Sequence, residues 1–224
     1  MLGALLNGKI RSHDTGFQFE DIITSTVFER MRYLSPPVFW SIICETFPEL
    51  PTYQVARIIE YEFWPKWELP EDSRWENKTT EPDMLIQIVV GDPAQSFHII
   101  LEAKANDLGI SQDEVQLRKH VVAYEKVLEE VSAECDQLYL LAIGGKPIPN
   151  LSSIGNCNLK YGNWSQFYSA FEKNLGNPKC NKSDLLVIND VCSFLAWRGF
   201  MPFLDMSKVW KPENPQFNIE NLSF

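Results

Sequence analysis

Between residues 17 and 34 the apolar side chains Phe19, Ile22, Ile23, Val27, Phe28, Met31 and Leu34 recur at spacings of three and four. That period turns them to one side of a helix. Ser35-Pro36-Pro37 stops it, because a residue before proline is driven out of helical geometry. A second short helix is expected over 38–47, closed by the stretch from Pro48 to Pro51. The period then changes to two. Tyr61, Phe63, Trp67 and Leu69 alternate with Glu60, Glu62, Lys66 and Glu68, which predicts a half-buried strand over 60–69. Pro65 inside that stretch predicts an edge position.

The clearest local signal comes next. Met84 to Val90 is an apolar run, 91–95 is turn-like, and Phe97 to Ala103 is a second apolar run. Two strands joined by so short a break form an antiparallel hairpin. Ser111, with Glu114 three residues on, reads as a capping box that opens a long helix over 112–131. Leu138 to Ile143 reads as another strand, ended by Gly144-Gly145, and 147–155 as a loop. Two amphipathic helices are expected over 164–175 and 183–198, the second closed by Gly199. The residues after Pro202 are aromatic and proline-rich. This order predicts one mixed α/β layered fold.

The hairpin brings chemistry together. Glu102 and Lys104 are two apart on a strand and share a face. With the turn centred near Asp92 or Pro93, Asp83 falls beside Glu102 across the ladder, roughly 5 Å away between side-chain roots. Two carboxylates at that distance repel unless a cation or proton lies between them. Hard oxygen ligands suit Mg²⁺ or Mn²⁺, and a neighbouring lysine can orient or deprotonate a water. A surface salt bridge is the usual fate of a Glu–Lys pair. Here Ile99-Ile100-Leu101 leads directly into Glu102, in a strand expected to be central, where a charge is costly.

Pro82-Asp83, followed by strand, turn, strand and then Glu102-Ala103-Lys104, resembles the signature of the PD-(D/E)XK nuclease superfamily. The order helix, three strands, helix, strand is similar to that superfamily's restriction-endonuclease-like core. The triplet alone is weak, since chance supplies about one in a chain this long. Glu76-Asn77-Lys78 has the same spacing but lies in a polar stretch with no apolar strand before it. The resemblance covers 17–145. It implies Mg²⁺- or Mn²⁺-dependent hydrolysis of phosphodiester bonds, in DNA ahead of RNA. Asp83, Glu102 and the backbone carbonyl of Ala103 would hold the ion, and Lys104 would activate water. Glu20 on the first helix, with Asp21 as second choice, would support a second ion or a metal-bound water, although Glu20 also suits the helix dipole. Gln116, with Gln112 and His120 on the same stripe, would hold the site or the substrate. His98 and His120 themselves are read as structural. Residues 1–150 then form the nuclease core. Residues 151–224 form a helical extension packed on the same domain, of which 164–203 resembles the tails of some members tied to anti-phage defence.

Charge modifies this reading. Thirty acidic against twenty basic residues give a net charge of −10, which disfavours a broad duplex-binding surface. The expectation is a nuclease subunit of a defence or restriction complex, with a protein partner or second copy supplying DNA affinity. The tail bearing Phe203, Trp210 and Phe217 is the expected docking surface. A non-catalytic scaffold of the same fold is the alternative. No apolar run approaches the roughly 18 residues of a membrane span, so no membrane association is expected. The five cysteines are scattered, which fits a reducing, cytoplasmic setting. No P-loop or GxGxxG motif points to nucleotide chemistry.

Overall fold

The structure, a computed structural model, describes residues 19–54, 56–133 and 135–201. Its helices are α1 (Phe19–Met31), α2 (Pro36–Thr46), α3 (Glu114–Val131), α4 (Trp164–Asn174) and α5 (Lys182–Trp197). Its strands are β1 (Ala56–Phe63), β2 (Trp67–Glu68), β3 (Thr79–Thr80), β4 (Met84–Val90), β5 (Gln95–Ala103), β6 (Gln137–Ile143), β7 (Ser153–Ile154) and β8 (Cys157–Gly162). Among the described residues the fold is mixed α/β. One six-stranded sheet runs in the order β1–β4–β5–β6–β8–β7, and β2 and β3 form a separate ribbon. No described helix is long and apolar enough to cross a membrane.

Connection length sets strand direction. The tight turn after Val90 makes β4 and β5 antiparallel, whereas α3 carries the chain back so that β6 lies parallel to β5. β6, with β5 and β8 on its flanks, is buried on both faces, which is why it reads as an unbroken apolar run. On one face Ile86, Ile88, Ile99, Leu101 and Leu141 meet α1, α2, α4 and α5. On the other, Leu85, Ile100, Leu140 and Leu159 meet Leu117, Val121 and Tyr124 of α3.

Several expectations change in the structure. The strand expected over 60–69 is two strands. The chain breaks at Trp64, whose φ of 50° is left-handed, and Pro65 lies in the gap rather than on an edge strand. Tyr61 and Phe63 pack toward the first face while Trp67 and Leu69 pack on the second. The apparent single stripe is therefore shared between two cores. Pro36 and Pro37 do more than stop α1: they open α2, with Ser35 as N-cap, where the missing N–H costs nothing. The cap of α3 is Asp113, whose side chain accepts from the N–H groups of Val115 and Gln116, and Ser111 instead bridges to Lys146. β8 was not expected, although Cys157, Leu159 and Tyr161 alternate there. The segment after Pro202, with Phe203, Trp210 and Phe217, lies outside the described residues.

The last helix, α5, is tied to the start of α2 by a buried acid. Asp184 accepts from the Ser35 N–H at 2.7 Å, the Ser35 hydroxyl at 3.0 Å and the Asn181 N–H at 3.0 Å. Asp184→Ala leaves these donors without their acceptor and is expected to cost about 3 kcal/mol, read as a lower urea midpoint with unchanged m-value.

Candidate active site

The alternation of β5 sorts its side chains. Phe97, Ile99, Leu101 and Ala103 point into the first core, so His98, Ile100 and Glu102 point the other way, toward α3. A helix gains about 6 Å in four residues and a strand about 6.6 Å in two, so a stripe of every fourth helical residue can follow every second strand residue. The stripe of α3 does so from Gln116 to His120, which face Lys104 and Glu102, and its next step, to Tyr124, passes Ile100 and reaches His98. Tyr124 Oη meets His98 Nδ1 at 2.9 Å, His120 Nε2 meets Glu102 Oε2 at 3.1 Å, and Gln116 Oε1 accepts from Lys104 Nζ at 3.3 Å. Numbers rise along the helix as they fall along the strand, so α3 runs antiparallel to β5.

The hairpin register, Met84 opposite Leu101, continues to set Asp83 opposite Glu102. The Asp83 backbone carbonyl accepts from the Trp64 N–H at 3.0 Å, and its Oδ2 accepts from the Ala103 N–H at 2.7 Å. Glu20 arrives from the first turn of α1. Carboxylate oxygens of Glu20, Asp83 and Glu102 lie within 4.8 Å of one another. Lys104 Nζ reaches Glu102 Oε1 at 2.7 Å and Glu20 Oε1 at 3.5 Å.

The backbone of Lys104 is fixed too. Its N–H donates to Ile143 at 2.9 Å and its carbonyl accepts from the Trp164 indole at 2.7 Å. Gly144 (φ +68°) makes this possible, since a Cβ there would lie 2.6 Å from the Lys104 oxygen. Gln112 braces the same corner through Gly144 O at 2.9 Å.

Burial decides the electrostatics: Glu102, Asp83 and Lys104 are only 2%, 6% and 9% exposed. Burial, reinforced by the Glu102 charge, holds the Asp83 carboxyl well above the usual range. Burial also raises Glu20, against the pull of Lys104. Burial would raise Glu102 as well, but His120 and Lys104 outweigh it and hold it below the usual range. Burial opposes the charge on Lys104, yet Glu102 and Glu20 keep its amine above the usual lysine range. Three acids against one ammonium form a site suited to a hard divalent cation.

The sequence-derived residues Glu20, Asp83, Glu102, Lys104 and Gln116 therefore come together, with Ala103 joined through its N–H. Two participants were not assigned from sequence. His120 contacts Glu102 directly, and its Nδ1 lies 2.8 Å from Thr80 Oγ1. The four-residue spacing from Gln116 was the available signal for His120. Nothing local marked Thr80, which is brought in by the β2–β3 ribbon. Gln116, His120 and Thr80 also line a cleft of about 540 Å³ between that ribbon and α3, together with Lys66 and Lys119.

A buried acid whose folded pKa is raised favours folding below its unfolded value, and that advantage is lost as pH climbs through the folded value. Asp83→Asn keeps the acceptor for the Ala103 N–H and removes the charge. Without added cation it should melt above wild type by at least about 2–4 °C near neutral pH, the shift of about 1 kcal/mol in a chain this size. The gain should vanish below about pH 3.9, where the unfolded aspartate is itself protonated. Calorimetry across that range checks the sign.

No protein-family model matches the chain, and no solved structure matches it. It is similar to Uncharacterized protein PM0110 of Pasteurella multocida (strain Pm70), with 26% identity over 228 residues that cover 89% of this chain and 80% of that protein.

Proposed function

We propose that this chain is a metal-dependent nuclease of the PD-(D/E)XK type that hydrolyses phosphodiester bonds, DNA before RNA, as the nuclease subunit of a defence or restriction complex. The observation that carries the reading is the meeting of Glu20, Asp83 and Glu102 within 4.8 Å, with the Lys104 amine 2.7 Å from Glu102. The element order supports it: α1, an antiparallel β1–β4–β5 meander, α3, then parallel β6 is the order expected of a restriction-endonuclease-like core.

The donor set fits a magnesium or manganese ion: all-oxygen, mostly buried, and with more negative than positive charge. Asp83, Glu102 and Glu20 would hold it, with the Ala103 carbonyl as the expected backbone donor. Such an ion would polarise a phosphoryl oxygen and stabilise the departing oxyanion. The chain's own groups do the rest. The Ala103 and Trp64 N–H groups fix Asp83. Lys104, standing as an ammonium, orients water and offsets phosphoryl charge by donating. Gln116 holds Lys104 from the cleft side. Lys119 and Lys66 offer positive charge along the approach, although Lys66 is shared with Glu81 at 3.7 Å.

Incubation with plasmid, linear duplex and single-stranded DNA, with and without Mn²⁺, tests the reading. Wild type should cut only with the cation. Lys104→Ala should fall about 10²–10⁴-fold, and Asp83→Ala should fall to the cation-free background, both with unchanged circular dichroism. Variants that cut like wild type would refute the assignment.

The net charge of −10 yields a further expectation. The purified chain alone should hold DNA weakly, with a shallow dependence on salt, and an added partner or self-assembly should tighten binding. Tight binding by the monomer, falling steeply with salt, would contradict the subunit reading.

A further inference from the structure

We propose that His120 is a positioning residue: it fixes the orientation of Glu102 for cation binding, and Thr80 in turn fixes His120. This rests on the cation-dependent reading above and extends it to two residues outside the motif. His120 is 1% exposed and spans the gap between two elements, with Nε2 3.1 Å from Glu102 Oε2 and Nδ1 2.8 Å from Thr80 Oγ1. An ionised carboxylate only accepts, so the contact with Glu102 assigns a proton to Nε2, while Nδ1 pairs with the threonine hydroxyl, which can donate or accept.

The consequence is geometric. Without His120, the Glu102 carboxylate could rotate about its last torsion, held by Lys104 at one oxygen alone. With Oε2 pinned to the imidazole, Oε1 stays beside Lys104 and the carboxylate plane is set before any ion arrives. Outer partners that orient a ligand typically matter about 10–100-fold in metal affinity.

Calorimetric titration of the full chain with MnCl₂ tests this without any cleavage assay. His120→Leu fills the buried space without a donor and should weaken Mn²⁺ binding about 10–100-fold. His120→Gln, whose amide restores a donor near the Nε2 position, should recover most of the loss, which a purely space-filling role would not predict. Thr80→Val, nearly isosteric and one step removed, should give a smaller loss and serves if His120→Leu does not fold. Ring ¹⁵N shifts of wild type should report a proton on Nε2. Wild-type affinity in both His120→Leu and Thr80→Val, or an Nε2 that carries no proton, overturns this inference while leaving the nuclease reading intact. A wild-type chain that binds no Mn²⁺ overturns both.

Discussion

Everything at this site follows from burying the Glu102 carboxylate at the end of a central strand. A buried charge left alone costs several kcal/mol, and Glu102 is 2% exposed. It is tolerated because each oxygen has a donor: Lys104 at 2.7 Å on one and His120 at 3.1 Å on the other. Those donors must be held as well. Lys104 needs its backbone locked at Gly144, and His120 needs α3 in one register over β5. The carboxylates of Asp83 and Glu20 then tip the balance to excess negative charge, which makes the pocket a poor place for a fourth acid and a good one for a hard cation.

The sheet keeps structural and chemical duties apart. The face toward α1, α2, α4 and α5 is apolar along β4, β5 and β6, and this large core supports the strands rigidly. The face toward α3 is apolar around Ile100 and Leu140 but becomes polar at the end of β5. A site on a strand end backed by a full core is positioned more precisely than one on loops alone. Glu20 bridges the two duties, because α1 packs on the apolar face through Ile23 and Val27 while its first turn reaches the acids.

Much of this was legible in the sequence, and the failures have identifiable causes. The hairpin could be read because two apolar runs flank one short polar break, and its register followed from the turn. Asp83, Glu102 and Lys104 inherited their placement from that register. The stretch 60–69 misled because period two says that residues alternate, not that they stay in one sheet: Trp64 breaks the chain and sends Trp67 to the opposite core. Ser111 and Asp113 are both good N-caps, and the choice was made by tertiary structure, since Ser111 is drawn to Lys146. β8 is short and interrupted by Asn158 and Lys160, so its alternation was faint. Thr80 lies forty residues from His120, a pairing that no local pattern encodes.

One contact reaches further than its size suggests. The Trp164 indole donates to the carbonyl of Lys104 across sixty residues of chain, and Asp107, three positions beyond Lys104, caps the same helix by accepting from the Trp164 and Ser165 N–H groups. During synthesis, the first half of the protein leaves the ribosome with all of its acids and the lysine already made, yet with the lysine's main chain unanchored. The clasp on that carbonyl therefore waits on a late-emerging tryptophan, and a nascent fragment ending before it would carry the three acids and the lysine without that contact.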